Sequence, residues 1–166
     1  NVKIINNFDA EFDKFVNYYD SQSTPPLVGV STTFYLGYAE VKRITKKLKK
    51  HDPKMKIVAG GAFSNEQTIN SSISNFEVKM RKHKLDYMLH AFNSDEHFPA
   101  LLKAHQKGRG FSQVPNLAYF NKSDKFCRTS KKWINPTLNS SPMLWKELDL
   151  SFVNRTVQVR AASGCP

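Results

Sequence analysis

Three short clusters of small and hydroxylated residues are the first places where this sequence could do chemistry: Ser31-Thr32-Thr33, Gly60-Gly61-Ala62 and Ala91-Phe92-Asn93-Ser94. Hydroxyls offer a ligand both a donor and an acceptor, and glycines let it approach the backbone closely. The same residues also suit tight turns and helix caps, and their types alone leave both readings open. Two cysteines, Cys127 and Cys165, are too few for a disulfide scaffold or a complete zinc site. His51, His83, His90 and His105 show no metal-ligand spacing and read as surface or packing residues.

The elements that would position these clusters are legible from periodicity. Phe12, Phe15, Val16 and Tyr19 fall on one helix face behind Asp9, a residue suited to an N-cap, after a β-branched run at residues 2–5. Ser23-Thr24-Pro25-Pro26 ends that helix, and the apolar run from Leu27 to Val30 predicts a buried strand leading into Ser31. Val41, Ile44 and Leu48 mark a second helix, with six Lys and Arg residues around the rest of it. Asp52-Pro53 stops it, and Lys56-Ile57-Val58-Ala59 predicts a strand closed by Gly60-Gly61.

Ser64 with Gln67 forms a capping-box pattern ahead of the stripe Ile69, Ile73, Phe76 and Met80. Residues 85–89 predict a further strand, and Ser94 caps a helix burying Phe98, Leu101 and Leu102 that Gly108 and Gly110 terminate. Apolar strands alternating with amphipathic helices predict an α/β fold with a parallel sheet covered on both faces. In such a sheet ligands bind outside the carboxyl ends of the strands, where the three clusters fall.

Beyond Gly110 the pattern changes. Residues 116–120 and 125–129 flank a polar turn and predict a hairpin, residues 133–148 with Pro136 and Pro142 read as an irregular linker, and residues 157–161 start another strand. The chain opens at Asn1 without Met and closes on Gly164-Cys165-Pro166 directly after that strand, which suggests truncation at both ends.

These residues resemble a family. Val28-Gly29-Val30-Ser31-Thr32-Thr33, then a helix, then Ile57-Val58-Ala59-Gly60-Gly61-Ala62, is similar to the V-G-x-S-x-x and V-x-G-G-A strand ends of cobalamin-binding domains. Residues 86–102 resemble the D-x-V-V-x-G-E-G-E-x-x-x-x-x-L-L segment of the version fused to radical S-adenosylmethionine (radical SAM) enzymes, whose hairpin, linker and G-C-P strand follow in the order seen here. The resemblance implies a flavodoxin-like, Rossmann-like domain over residues 1–112 lacking its first strand and helix. A hairpin extension at 113–131, a linker at 132–155 and the first strand of a radical SAM barrel at 156–166 would follow.

It also implies cobalamin contacts from Ser31, Thr32, Thr33, Gly60, Gly61, Ala62, Phe92 and Asn93. Cys165 would open C-x-x-x-C-x-x-C, whose three thiolates hold a [4Fe-4S] cluster and leave one iron for S-adenosylmethionine. The implied activity is radical-based methyl transfer or a related modification in the full-length protein; this stretch alone would not catalyse it. Cys127 reads as structural. The chain departs from the family where G-E-G-E becomes Ala91-Phe92-Asn93-Ser94, a loss that fits an empty scaffold or docking domain instead. Asp95-Glu96-His97-Phe98-Pro99-Ala100 imitates the D-x-H-x-x-G cobalt-ligand signature, but it falls after Gly60-Gly61 and ends in Ala100, so His97 reads as a first-turn helix residue.

Length and charge bound the rest. At 166 residues, 40% of them hydrophobic, the chain can bury a core of about two-thirds of its unfolded surface. No apolar run is long enough to span a membrane, and no charged-then-apolar leader opens the chain, so a cytoplasmic location is expected. The net charge of +11 concentrates in lysine-rich stretches at 42–50 and 79–84. The stretch at 42–50 surrounds a regular apolar stripe as a solvated helix face does. Nucleic-acid binding is the alternative, without the interleaved aromatics of single-strand platforms.

Overall fold

A computed structural model describes residues 3–5, 7–32, 38–61, 64, 72–91, 97–130 and 132. The elements run α1 (Phe12–Asp20), β1 (Val28–Ser31), α2 (Tyr38–His51), β2 (Ile57–Gly60), α3 (Ile73–Lys82), β3 (Tyr87–Leu89), α4 (His97–Lys107), a 3-10 turn (Phe111–Gln113), β4 (Leu117–Phe120) and β5 (Phe126–Arg128). The chain divides into one compact unit, Asn1–Lys132, and a second, Trp133–Pro166, which lies outside the described residues. The predicted linker and terminal strand lie there too.

The sheet order is β1-β2-β3-β4-β5. β1 pairs with β2 and β2 with β3 in parallel, with Ser31 opposite Gly60 and Gly60 opposite Leu89. The predicted hairpin is part of this sheet: β4 joins β3 antiparallel and β5 joins β4 antiparallel. The expected parallel strands and hairpin are both present, and the hairpin joins the parallel strands in one mixed sheet. A tight polar turn can only reverse the chain, so one strand of any hairpin added to this sheet must run against β1–β3.

Strand alternation sorts the core onto two faces. Val30, Ile57, Ala59, Met88 and Ala118 point to one face and pack with Tyr19 of α1, Val41, Ile44 and Leu48 of α2, and Phe76 and Met80 of α3. Val58, Tyr87, Leu89, Leu117 and Tyr119 point to the other, against Leu101 and Ala104 of α4 and Val114. α2 and α3 share a face because both are crossovers between neighbouring parallel strands taken in the same direction, and such crossovers are right-handed. Each fully buried large side chain here contributes roughly 1.5–3 kcal/mol by leaving water.

Local structure departs from expectation in three places, two of them caps. Asp9 does not cap α1; Asn7 Oδ1 accepts the Ala10 N–H at 3.1 Å and the Glu11 carboxylate accepts the Asn7 N–H at 3.1 Å. Asp9 instead holds the Arg43 guanidinium through both oxygens, at 2.7 and 2.8 Å, and this pairing holds its carboxyl below the usual range. Lys3, Ile4 and Ile5 form no strand, and Ile4 is exposed. α3 carries its own N-cap, Ser72, whose Oγ accepts the Asn75 N–H, so the helix that buries Phe76 and Met80 starts at Ile73 and not at Ser64. The capping partner expected for Ser64, Gln67, lies outside the described residues.

Candidate functional site

The carboxyl ends of β1, β2 and β3 lie side by side, which places Ser31-Thr32, Gly60-Gly61 and the stretch after Leu89 along one edge of the sheet. Of the residues expected to form a site, Ser31, Thr32, Gly60 and Gly61 are described. Thr33, Ala62, Phe92, Asn93 and Cys165 lie outside the described residues.

The four described residues divide into two kinds. Ser31 is exposed and shares its strand face with the exposed Gly29. Thr32, one position on, shares the parity of Val28 and Val30 and is 1% exposed. Its N–H donates to the Gly60 carbonyl at 2.7 Å, continuing the β1–β2 ladder past Ser31, and its Oγ1 donates to the same carbonyl at 2.9 Å. Ser64, also 1% exposed, reaches Thr32 Oγ1 through its N–H at 3.2 Å and its Oγ at 3.0 Å.

Gly61 adopts φ +122°, a backbone conformation that glycine enters freely and L side chains resist. Gly60 has ordinary room beside it: a Cβ there would sit 3.7 Å from Leu89 Cβ. The pair therefore presents bare backbone at the end of β2, with the turn at Gly61 as the part only glycine satisfies.

Beside it stands a buried polar hub that sequence reasoning missed. Asn116 is 1% exposed with φ +54°, in the left-handed region that asparagine tolerates better than most residues. Its carbonyl accepts the His90 N–H at 2.8 Å and its N–H donates to Ser130. Its side-chain amide clips Lys132 at both ends: Oδ1 accepts the Lys132 N–H at 2.9 Å, and Nδ2 donates to the Lys132 carbonyl at 2.7 Å. That clip fixes which end of the amide faces His97, whose Nε2 lies 2.9 Å from Nδ2. In that orientation Asn116 Nδ2 donates to His97 Nε2. His97 opens α4 and is 2% exposed, consistent with a first-turn packing residue. The sequence signal for this hub was faint: an Asn immediately before a strand.

At the opposite end of the sheet Asp86, the first residue of the D-x-V-V-like segment, has a structural task. Its Oδ2 accepts from Lys49 Nζ at 2.8 Å and the Ile57 N–H at 3.0 Å, and its Oδ1 from Lys56 at 2.8 Å. It ties the start of β2 to α2 and takes no part in the candidate site. Among the described residues no group of three His, Cys, Asp or Glu could hold a metal ion, and no helix is long and apolar enough to cross a membrane.

No protein-family model matches this sequence, and no curated protein matches it. Solved structures do. The chain superimposes on the cobalamin-dependent S-adenosylmethionine radical enzyme OxsB with aqua-cobalamin bound, with a TM-score of 0.55 and 12% identity, over 77% of this chain and 16% of that one. It also matches TsrM, a radical S-adenosylmethionine methyltransferase from Kitasatospora setae. The form with cobalamin and a [4Fe-4S] cluster bound gives a TM-score of 0.50 and 15% identity, covering 78% of this chain and 22% of that one. The form with tryptophan substrate and a SAM analogue gives 0.50 and 17%, covering 74% and 22%. The chain thus spans about a fifth of the length of the enzymes it matches. At these identities the likeness establishes the fold: a flavodoxin-like α/β domain of the kind found in cobalamin-dependent radical SAM enzymes.

Proposed function

We propose that this chain is the cobalamin-binding portion of a radical SAM enzyme. The observation that carries the reading is the bare Gly60-Gly61 backbone at the end of β2, beside Ser31 at the end of β1, in a fold shared with two cobalamin-dependent enzymes. The described residues suit a large ligand. The strand ends carry only small side chains, Gly61 leaves its turn open, and Thr32 and Ser64 satisfy one another without projecting into the crevice. Ser31, Gly60 and Gly61 would hold the cofactor, with Thr33, Ala62, Phe92 and Asn93 completing the contacts. Thr32 would act from behind them.

Cobalamin, when bound, supplies a cobalt centre able to carry a methyl group. This chain's own part is to bind and orient it, and to keep the crevice floor dry through the buried Thr32, Ser64, His97 and Asn116. In the same reading residues 1–112 form the cobalamin domain and 156–166 begin a radical SAM barrel. Cys165 would be the first of three thiolates around a [4Fe-4S] cluster that binds S-adenosylmethionine, and a methylated or otherwise radical-modified substrate would be the product of the full-length protein.

The test is direct. The chain is mixed with hydroxocobalamin, desalted, and its spectrum recorded. Retention of about one corrin per chain is the expected result. Loss of all corrin absorbance on desalting would leave the empty scaffold reading in its place.

A further inference from the structure

Thr32 was expected to touch the ligand. The hydrogen bonding around it points to a different task. Gly60 O can only accept, so the single proton of the Thr32 hydroxyl goes to it, at 2.9 Å. Ser64 must then supply both donors that reach Thr32 Oγ1: its N–H at 3.2 Å and its Oγ–H at 3.0 Å. With one proton given and two lone pairs filled, the Thr32 hydroxyl has nothing left for a ligand. The Gly60 carbonyl is equally saturated, since it accepts the Thr32 N–H at 2.7 Å as well as the hydroxyl. Both side chains are 1% exposed, so water cannot replace a lost partner cheaply.

Three segments meet at this one oxygen: the end of β1, the end of β2, and the chain four residues beyond Gly60. Among the described residues, Ser64 is tied to the end of β1 through its N–H and its hydroxyl, both on Thr32 Oγ1. We infer that Thr32 and Ser64 form a hydroxyl latch that holds Ser64, four residues beyond Gly60, against the end of β1 and so presets the crevice, Thr32 being a positioning residue and Ser31 the ligand-facing one. The identity of the ligand rests on the cobalamin reading; the latch itself does not.

Thr32→Val keeps the shape and removes the hydroxyl, Thr32→Ser keeps the hydroxyl and removes the methyl group, and Ser64→Ala removes one of the two donors. Hydroxocobalamin affinity is measured by corrin absorbance for each full chain, together with the exchange rate of the Ser64 amide proton. Expected are at least tenfold weaker binding and at least tenfold faster Ser64 exchange in Thr32→Val, recovery of both to within about threefold in Thr32→Ser, and an intermediate effect in Ser64→Ala. If Thr32→Val does not fold, Ser64→Ala and Thr32→Ser carry the comparison. Unchanged affinity in Thr32→Val, or weakened affinity that Thr32→Ser fails to recover, overturns the positioning role. If the wild-type chain binds no cobalamin, the cobalamin reading fails by itself, and Ser64 exchange still decides the latch: the same rate in wild type and Thr32→Val overturns it.

Discussion

Single residues decide the strand ends, and each does so by a different physical means. Gly61 is needed for its backbone: φ +122° strains any L residue, so Gly61→Ala should lower stability by about 1–3 kcal/mol in urea unfolding without touching the core. Asn116 is needed for its amide. Asn116→Ala removes the amide that bonds His97 Nε2 and both ends of Lys132, at a cost of about 1–3 kcal/mol in urea unfolding. Asp86 is needed for its charge, because Lys49 beside it is only 13% exposed. Removing one partner of such a pair leaves the other stranded, so Asp86→Ala should cost about 3 kcal/mol. Much of this was legible in the sequence and some of it was misread. Gly60-Gly61 stood out by type. Thr32 was grouped with Ser31 and Thr33 as a ligand hydroxyl, although its parity with Val28 and Val30 already turned it inward. Asn116 and Ser64 had no such signal, because their partners lie 16 and 32 residues away and only the folded sheet brings them together.

At the scale of elements, periodicity located α1, α2, α4 and β1–β5 to within about two residues, because each buries a regular stripe; α3 was placed by its stripe but starts at Ile73, well past the expected cap at Ser64. What it missed was set by tertiary contact: Asp9 left its expected cap for Arg43, and the hairpin extended the sheet. The junction of α2 with α3 carries a pH dependence of its own. Tyr38, opening α2, stacks on His83, the C-cap of α3, with ring centroids 4.4 Å apart and planes 3° apart. Burial, then Lys82, Lys42 and Lys79, holds the His83 pKa below its ordinary 6.5, and burial raises that of Tyr38 to about 12. The unfolded chain therefore binds a proton that the folded chain refuses. Stability contributed by neutral His83 is fully present above pH 6.5 and declines as pH falls from 6.5 toward the depressed folded value, where the loss levels off. His105, lowered mainly by burial, adds to the same window. The urea midpoint should fall between pH 7.5 and 5.5, and His83→Phe, which keeps a ring on Tyr38, should flatten much of that slope. An unchanged slope would place the titration elsewhere.

The molecule as a whole is a mixed five-stranded sheet among the described residues, with α1, α2 and α3 on one face, α4 on the other, and its small, hydroxylated residues at one end. Because both core clusters fall within Asn1–Lys132, a chain ending at Lys132 should still unfold cooperatively, with a midpoint close to that of the full chain. The +11 charge has two candidate meanings on one surface, the lysine-rich α2 and α3: a solvated face, or a surface for nucleic acid. The cobalamin reading places the ligand elsewhere, at the strand ends. Amide spectra of the ¹⁵N-labelled chain, recorded with and without hydroxocobalamin, test that placement most directly. The account predicts shifts at residues 29–33, 60–64 and 90–93, and none at the exposed Lys42, Lys46, Lys50 and Lys82. Shifts confined to those lysines, or no shifts at all, would contradict it.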